Sequence, residues 1–424
     1  MSVHKAAWLL PDGKVVHCDQ TDLHDVIARV HHVRMDDAVR IVLAMPEDAA
    51  KLGEPAAWTL RFDDKARPAW LTEDALNRAH RQMLAIVERE MVHSGVGSLA
   101  GGCWILLAGG RIDELVGGRM VAAAPGASLD GVLLAGANLA GAILVGVNLV
   151  GANLTAANLA GCKLARANLA RATLTDAIVV DANLDGASLE RAVAGGANFS
   201  RASLARTILV GADLTAASLS RAVLTEARLD GAVLSDAKLT YANLTSAILA
   251  GANMTGVALT GANLTGARLD TAKLTGASIV RANFTNANLT SANLVNCNLA
   301  GSKFSGAKIA RADVVEANLA GATLNLANLS HANLAGATFT GANLTSAALD
   351  SAKLGGANLA DANLTGADLS GADLTGANLM GANLTNAKLT GAVLNDANFN
   401  GAMFPGGAAP HGWIRDAKGY LRPR

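Results

Sequence analysis

The chain has 424 residues, of which 51% are hydrophobic and only 17% charged, and its 35 basic residues balance 35 acidic ones. A neutral chain without a concentrated basic stripe is not typical of a nucleic-acid-binding protein, so we expect no nucleic-acid partner. No apolar run reaches the length of a membrane span, and residues 1–10 lack the basic start and apolar run of a signal peptide. These features predict a cytoplasmic protein without a membrane-spanning segment.

Residues 1–110 carry most of the tryptophan and histidine and predict a small α+β domain. Ala6–Leu10 and Lys14–Cys18 flank the turn sequence Pro-Asp-Gly, which indicates a β-hairpin. Residues 57–62 predict a further strand. Residues 21–32 and 72–92 predict helices, because each begins with a threonine that can cap the first turn.

The second half of this region resembles a module of phage-encoded repeat proteins. The resemblance rests on Arg61-Phe62-Asp63-Asp64 and Pro68-Ala69-Trp70, which are followed by the second predicted helix. It implies a phage or prophage origin for this part of the chain. Residues 111–126, which come next, are rich in glycine and predict a linker or a first, irregular coil.

One group of potential metal ligands stands out in the N-terminal region, and it consists of His17, Cys18, His24, His31 and His32. No CxxC or HExxH motif accompanies these residues, so solvated or core histidines are the simpler interpretation. A glycine-rich segment at 95–100 follows a predicted helix rather than a strand, which favours a linker over a dinucleotide loop. We expect no metal and no cofactor. A metal-binding or enzymatic function of residues 1–110 is kept as an alternative.

From residue 127 to residue 404 the sequence repeats every five residues without an insertion. The centre of the repeat, counted from Leu129 to Phe404, occurs 56 times and is leucine in 44 of them. The residue two positions earlier is alanine in 49 of the 56 repeats. One large and one small apolar residue per five fits neither the period of a helix nor that of a strand. The pattern predicts a tight coil with both residues pointing inward at interior density.

Triplets such as Ala137-Asn138-Leu139 and Ala262-Asn263-Leu264 resemble the pentapeptide-repeat family, whose repeat is A(D/N)LXX. The resemblance implies a mainly β fold, a right-handed quadrilateral β-helix with four repeats per coil. The 56 repeats would then form about 14 coils, and at about 4.8 Å per coil the rod would be about 65 Å long. The predicted organisation is an N-terminal α+β domain (1–110), a linker or first coil (111–126), the β-helix (127–404) and a short C-terminal cap (405–424).

Four repeats per coil place residues 20 positions apart in one column. Charge then divides along the rod, with 15 basic and 10 acidic residues in 127–311 but 2 and 7 in 312–404. Opposite charges that stack in a column contribute little to stability when exposed, but they avoid like-charge stacking. The column arithmetic pairs Arg206 with Glu226, Lys353 with Asp373 and Asp368 with Lys388.

Two outward-pointing clusters are candidates for a protein interface. Tyr241 is the only tyrosine of the rod, and exposed tyrosine among arginines is typical of interface hot spots. The first cluster consists of Arg201, Arg221 and Tyr241, with Asp181 in the same column, and the second of Arg166, Arg171 and Arg191. Ordinary solvation of these side chains is the competing interpretation.

The C-terminal end of the rod carries four aromatic residues. Phe399 and Phe404 lie in the last coil, where large side chains can close the open end. Trp413 and Tyr420 flank a predicted hairpin that covers the same end, since a solenoid needs a cap over its unpaired strand edges. Self-association through the rod ends is the alternative role of this aromatic tail.

A convex rod with a filled core offers no concave site, so we expect no catalytic residue. The sequence predicts a non-enzymatic scaffold, a rod for protein–protein interaction with an unknown partner, and the repeat type favours a bacterial source. The resemblance implies a second hypothesis, since some pentapeptide-repeat proteins mimic DNA and bind type II topoisomerases such as gyrase. A rod that is neutral overall imitates DNA poorly, so this hypothesis is kept as the alternative.

Overall fold

The computed structural model describes residues 126, 129–131, 134–404 and 409–424 in full, together with the backbone of four strands nearer the N-terminus. These strands are β1 (Lys5–Leu9), β2 (Val15–His17), β3 (Val39–Ala44) and β4 (Thr59–Phe62). They form one antiparallel sheet in the order β2-β1-β3-β4.

Three of these strands agree with the sequence interpretation and one was missed. β1 and β2 form the hairpin predicted around Pro-Asp-Gly, with Leu9 opposite Val15, and β4 lies within the predicted strand at 57–62. β3 was not predicted, although its run of valine, isoleucine and leucine has the composition of a strand. The predicted helices at 21–32 and 72–92 lie outside the described residues, and the domain bounds at 110 and 126 stay predictions.

The repeat region is a four-sided β-solenoid over the described residues. Parallel bridges join residues 20 positions apart at every fifth residue, from Asn138↔Asn158 to Asn383↔Met403. Each repeat therefore turns the chain through one corner, and four repeats return it to the same side. The four repeats per coil that the resemblance implies are present along the described rod.

Residues 262–266, with the sequence Ala-Asn-Leu-Thr-Gly, show how one repeat satisfies its backbone. We call its five positions inward, ladder, centre, turn and corner. The five N–H groups donate, in that order, to Leu259 O (2.9 Å), Ala242 O (2.9 Å), Asn283 O (2.7 Å), Asn263 Oδ1 (3.1 Å) and Thr285 O (3.0 Å). Only the turn N–H has no backbone carbonyl as its partner, and it donates instead to the side-chain oxygen of the ladder residue. This explains why asparagine or aspartate suits the ladder position, because a buried donor without a partner is costly.

The core consists of the centre and inward side chains, and Leu264 and Ala262 are 0% and 1% exposed. Phe284 and Phe304, one coil apart, stack with ring centroids 4.9 Å apart. Where the inward residue is polar, it bonds to the coil below: Thr207 Oγ1 donates to the Leu184 carbonyl at 2.9 Å. The buried hydroxyl group therefore has a hydrogen-bond partner within the core.

A hairpin follows the last coil. Its strands are β5 (Trp413–Arg415) and β6 (Leu421–Pro423), which pair antiparallel around the turn predicted at 416–419. The Leu421 N–H donates to the Ala402 carbonyl at 2.8 Å, and the Leu421 side chain is fully buried. The hairpin therefore pairs with one strand edge of the final coil, as a solenoid cap should.

Candidate functional site: the edges of the rod

Every corner position from Gly136 to Gly401 has a positive φ, between 54° and 71°, and 28 of these positions are not glycine. The centre carbonyl accepts the N–H three residues later, as Leu264 O does from Ala267 N at 3.0 Å, so each corner is a β-turn. Its third residue is left-handed, which is the place of glycine in a type II turn. Any other residue is strained there, and its side chain projects from an edge of the rod.

Arginine is concentrated at these strained positions. Eight of the ten arginines in residues 134–404 are corner residues, and they are Arg166, Arg171, Arg191, Arg201, Arg206, Arg221, Arg281 and Arg311. All five candidate arginines and Tyr241 belong to this set of corners. The sequence interpretation placed them outward but missed the shared strain. The available signal was that each occupies the repeat position where glycine otherwise recurs.

Corners 20 residues apart form four edges, which differ in charge. The tyrosine edge carries Asp181, Arg201, Arg221, Tyr241, Arg281 and Asp361, and the mixed edge carries Arg166, Arg206 and Glu226. The basic edge carries Arg171, Arg191, Arg311 and His331, and the acidic edge carries Asp176, Asp236, Glu316 and Asp396. Corners ten residues apart in a 20-residue coil are diagonally opposite, so the tyrosine and basic edges lie on opposite sides of the rod.

Arg201 and Asp181 form a bidentate ion pair on the tyrosine edge. The Arg201 Nε and Nη2 atoms donate to the two Asp181 carboxylate oxygens at 2.8 and 2.7 Å. The hydrogen bond from the Arg201 guanidinium lowers the pKa of Asp181. Arg221, one coil further on, is exposed and has no ion pair within the described residues. One arginine of the candidate cluster is therefore held in place and the next is available.

Tyr241 is 60% exposed, and its ring lies along the edge. A Cβ atom on Gly261, the next corner residue above it, would collide with ring carbons Cδ1 and Cε1 of Tyr241. The ring thus rests against the glycine backbone, and only glycine leaves room for it. The tyrosine edge therefore presents an exposed aromatic ring in a fixed orientation between Arg221 and Arg281.

The second candidate cluster divides between two edges. Arg166 lies on the mixed edge, whereas Arg171 and Arg191 lie one coil apart on the basic edge. All three are exposed, and none forms an ion pair with another described residue. Because the basic edge is opposite the tyrosine edge, Arg171 and Arg191 cannot contact the same flat partner as the first cluster.

The four aromatic residues of the C-terminal end lie where the hairpin meets the last coil. Phe399 is fully buried and makes an edge-to-face contact with Trp413, with ring centroids 5.8 Å apart. Phe404 and Tyr420 are partly buried, and the Phe404 N–H donates to the Gly419 carbonyl at 2.9 Å. This arrangement fits a cap; it does not test self-association through the rod ends.

The residues that the structure describes hold no group of three or more histidine, cysteine, aspartate or glutamate side chains that could bind a metal. The side chains of the N-terminal histidine cluster lie outside that set, as does the segment at 95–100. In the described part of the chain, no helix is long and apolar enough to cross a membrane.

A family model described as pentapeptide repeats matches the chain in overlapping stretches that together span residues 125–407. No curated protein sequence matches the chain.

Among solved structures, HetL from the cyanobacterium Nostoc sp. strain PCC 7120, involved in heterocyst differentiation regulation, is 33% identical. The match covers 57% of this chain and 90% of HetL, with a TM-score of 0.33. QnrB1, a plasmid-mediated fluoroquinolone resistance protein, is 19% identical over 50% of this chain and 88% of its own, with a TM-score of 0.32. A pentapeptide repeat protein from the thylakoid lumen of Arabidopsis thaliana is 33% identical over 27% of this chain and 69% of its own, with a TM-score of 0.18.

Proposed function

Because the chain belongs to the pentapeptide-repeat family, we propose that it is a non-enzymatic rod that binds a protein partner through its tyrosine edge. The observation that carries this proposal is the sequence of corner residues Arg201, Arg221 and Tyr241 in three successive coils. Glycine would occupy these left-handed positions without strain, and the side chains add nothing to the core. Their presence is explained better by contacts outside the molecule than by folding.

The chemistry of the edge favours an acidic protein surface as the partner. Arginine binds carboxylates through two parallel hydrogen bonds, and Arg221 has its donors free of any ion pair with described residues. Tyrosine adds a large contact area at a low cost in side-chain entropy, and the ring of Tyr241 is already oriented by Gly261. We place this interaction in the cytoplasm.

The test replaces the three edge residues with glycine. The variant Arg201→Gly/Arg221→Gly/Tyr241→Gly should fold at least as well as the native chain, because glycine relieves strain at all three corners. Cross-linking followed by affinity capture from the source organism should then recover a protein with the native chain and lose it with this variant.

A matched control distinguishes loss of binding from loss of structure. The variant Ser246→Gly/Ser291→Gly/Ser346→Gly makes the same change at corners of the mixed and basic edges, and it should retain the captured protein. Recovery of the same proteins by all three forms of the chain would exclude the tyrosine edge as the binding site.

The topoisomerase hypothesis has weaker support from the surface. Asp236 and Glu316 are successive carboxylates of the acidic edge, and they are four coils or about 19 Å apart. DNA carries a phosphate about every 3.4 Å along each strand. An edge with so few charges does not reproduce that density, so we do not propose that the protein mimics DNA.

A further inference from the structure

The acidic and basic edges are neighbours and border one face of the rod. Each corner of the acidic edge follows a corner of the basic edge by five residues, as Asp176 follows Arg171 and Glu316 follows Arg311. Across the described rod, the basic edge has no acidic corner and the acidic edge has no basic corner. We call the surface between them the sorted face.

The sorted face has one column of uncharged turn residues and one column of ladder residues that includes charges. Its turn positions carry no charge from Ala135 to Asn395, and they include Gly195 and Gly355, two glycines at a position that is usually threonine, serine or alanine. Its ladder positions carry charges of both signs, and these are Asp213, Lys273, Asp313, Lys353 and Asp373. Small turn residues leave room for a second flat surface to approach.

The charges at the borders of this face are available for a partner. Arg171, Arg191 and Arg311 are exposed, as are Asp176 and Glu316. None of the five forms an ion pair with another described residue, although opposite charges stand on neighbouring edges of the same chain. A complementary surface must therefore offer carboxylates along one border and cations along the other.

We propose that a second copy of this chain supplies that surface, with the two rods side by side, parallel, and related by a twofold axis along their length. In this arrangement the basic edge of each copy meets the acidic edge of the other at the same height. Asp176 lies only a quarter of a coil above Arg171, or about 1 Å, and Glu316 stands in the same relation to Arg311.

The antiparallel arrangement fails on the same residues. It places basic edge on basic edge and acidic edge on acidic edge, so that like charges face each other. Charge complementarity mainly fixes orientation and partner choice, and here it selects the parallel pair.

Such a pair would display two tyrosine edges. The sorted face lies between the basic and acidic edges, so the tyrosine and mixed edges of both copies remain outside the contact. A partner with two acidic sites could bind both tyrosine edges at once, which raises its effective affinity without new contacts. The dimer does not depend on that partner and can be tested without it.

The experiment is sedimentation of the full chain over a range of concentrations, with two charge-reversed variants. The first, Asp176→Arg/Glu316→Arg, places arginine opposite Arg171 and Arg311 of the other copy, and the second, Arg171→Glu/Arg191→Glu/Arg311→Glu, places glutamate opposite its Asp176 and Glu316. Arginine and glutamate already occur at corners of this rod, so both variants keep its backbone geometry. We expect the native chain to dimerise, and each variant alone to have a Kd at least tenfold higher.

Mixing the two variants supplies the decisive result. The arginines at 171, 176, 311 and 316 of the first variant then each face a carboxylate of the second, and the mixture should dimerise as the native chain does. The control Arg281→Glu/Asp361→Arg, on the tyrosine edge, should leave the native dimer unchanged. A native chain that stays monomeric, a mixture that does not associate, or a dimer that survives both variants and so forms at the rod ends would each overturn the proposal.

Discussion

Replacing Asn263 with alanine tests whether the ladder side chain holds each repeat together. The Asn263 Oδ1 atom accepts hydrogen bonds from the Thr265 N–H (3.1 Å) and the Thr265 Oγ1 (2.6 Å). Its Nδ2 donates to Thr245 Oγ1 in the coil below at 3.0 Å. Three hydrogen bonds of about 1 kcal/mol each, discounted for partial exposure, give an expected loss of about 2 kcal/mol.

Amide hydrogen exchange is the suitable assay, because a solenoid opens coil by coil rather than as one unit. A loss of about 2 kcal/mol corresponds to about 30-fold faster exchange at the Leu264 amide, which keeps its bond to the Asn283 carbonyl at 2.7 Å, since about 1.36 kcal/mol is a factor of ten. The control Asn183→Ala removes one bond, from the Asp185 N–H at 2.9 Å, and should accelerate exchange by about fivefold at the Leu184 amide, which donates to the Ser203 carbonyl at 2.7 Å. Equal effects of the two substitutions would refute the idea that each hydrogen bond of a ladder side chain adds to the stability of its repeat.

Two further predictions concern a corner and a core position. Leu326 is 67% exposed and has a φ of 59°, so its side chain adds strain and little burial. Leu326→Gly should raise the stability of the rod by about 0.5–1 kcal/mol, because the relief of left-handed strain exceeds the entropy cost of ordering glycine. A lower melting temperature of the variant would contradict this. Burial raises the pKa of the Cys297 thiol from 9.0 to about 11. The folded state therefore holds this proton more tightly than the unfolded state, and the free energy of unfolding should fall as pH rises from about 9 to about 11. Iodoacetamide labelling read by mass spectrometry should modify Cys297 at pH 8 in urea but not in the native protein, and rapid native labelling would show that the thiol is not buried.

The columns of the rod could be predicted from the sequence because no insertion breaks the five-residue register. Residues 20 apart stack whatever their identity, so the candidate arginines, Tyr241 and the stacked pair Phe284 and Phe304 all lie where the count places them. The N-terminal region has no such register. There β3 was missed, because a short apolar run indicates a strand only when its partners are known.

Contacts within a column could not be predicted from stacking alone. Arg206 and Glu226 form the predicted ion pair at 3.3 Å, and Lys388 and Asp368 form theirs at 3.2 Å. The predicted pair of Lys353 and Asp373 does not form in the described rod.

One oxygen of the Asp373 carboxylate is bonded to its own turn. It accepts the N–H of Thr375 at 3.0 Å and its Oγ1 at 2.6 Å, and these bonds lower the pKa of Asp373. Asp368 accepts the Ser370 N–H at 3.0 Å with one oxygen and still pairs with Lys388 through the other, so the structure does not explain why Lys353 and Asp373 stay apart.

The sequence by itself determined the register, the inward leucine and alanine, and the stacking of residues 20 apart, because these follow from a period that is never interrupted. Only the tertiary structure decided that Arg201, Arg221 and Tyr241 stand at left-handed corners, since backbone φ depends on the turn that the four-sided coil imposes. It also decided which charged corners are free for a partner, since Arg171, Arg191, Arg311, Asp176 and Glu316 are exposed and form no ion pair with another described residue. The column count places these charges on neighbouring edges, but only side-chain geometry shows which of them pair.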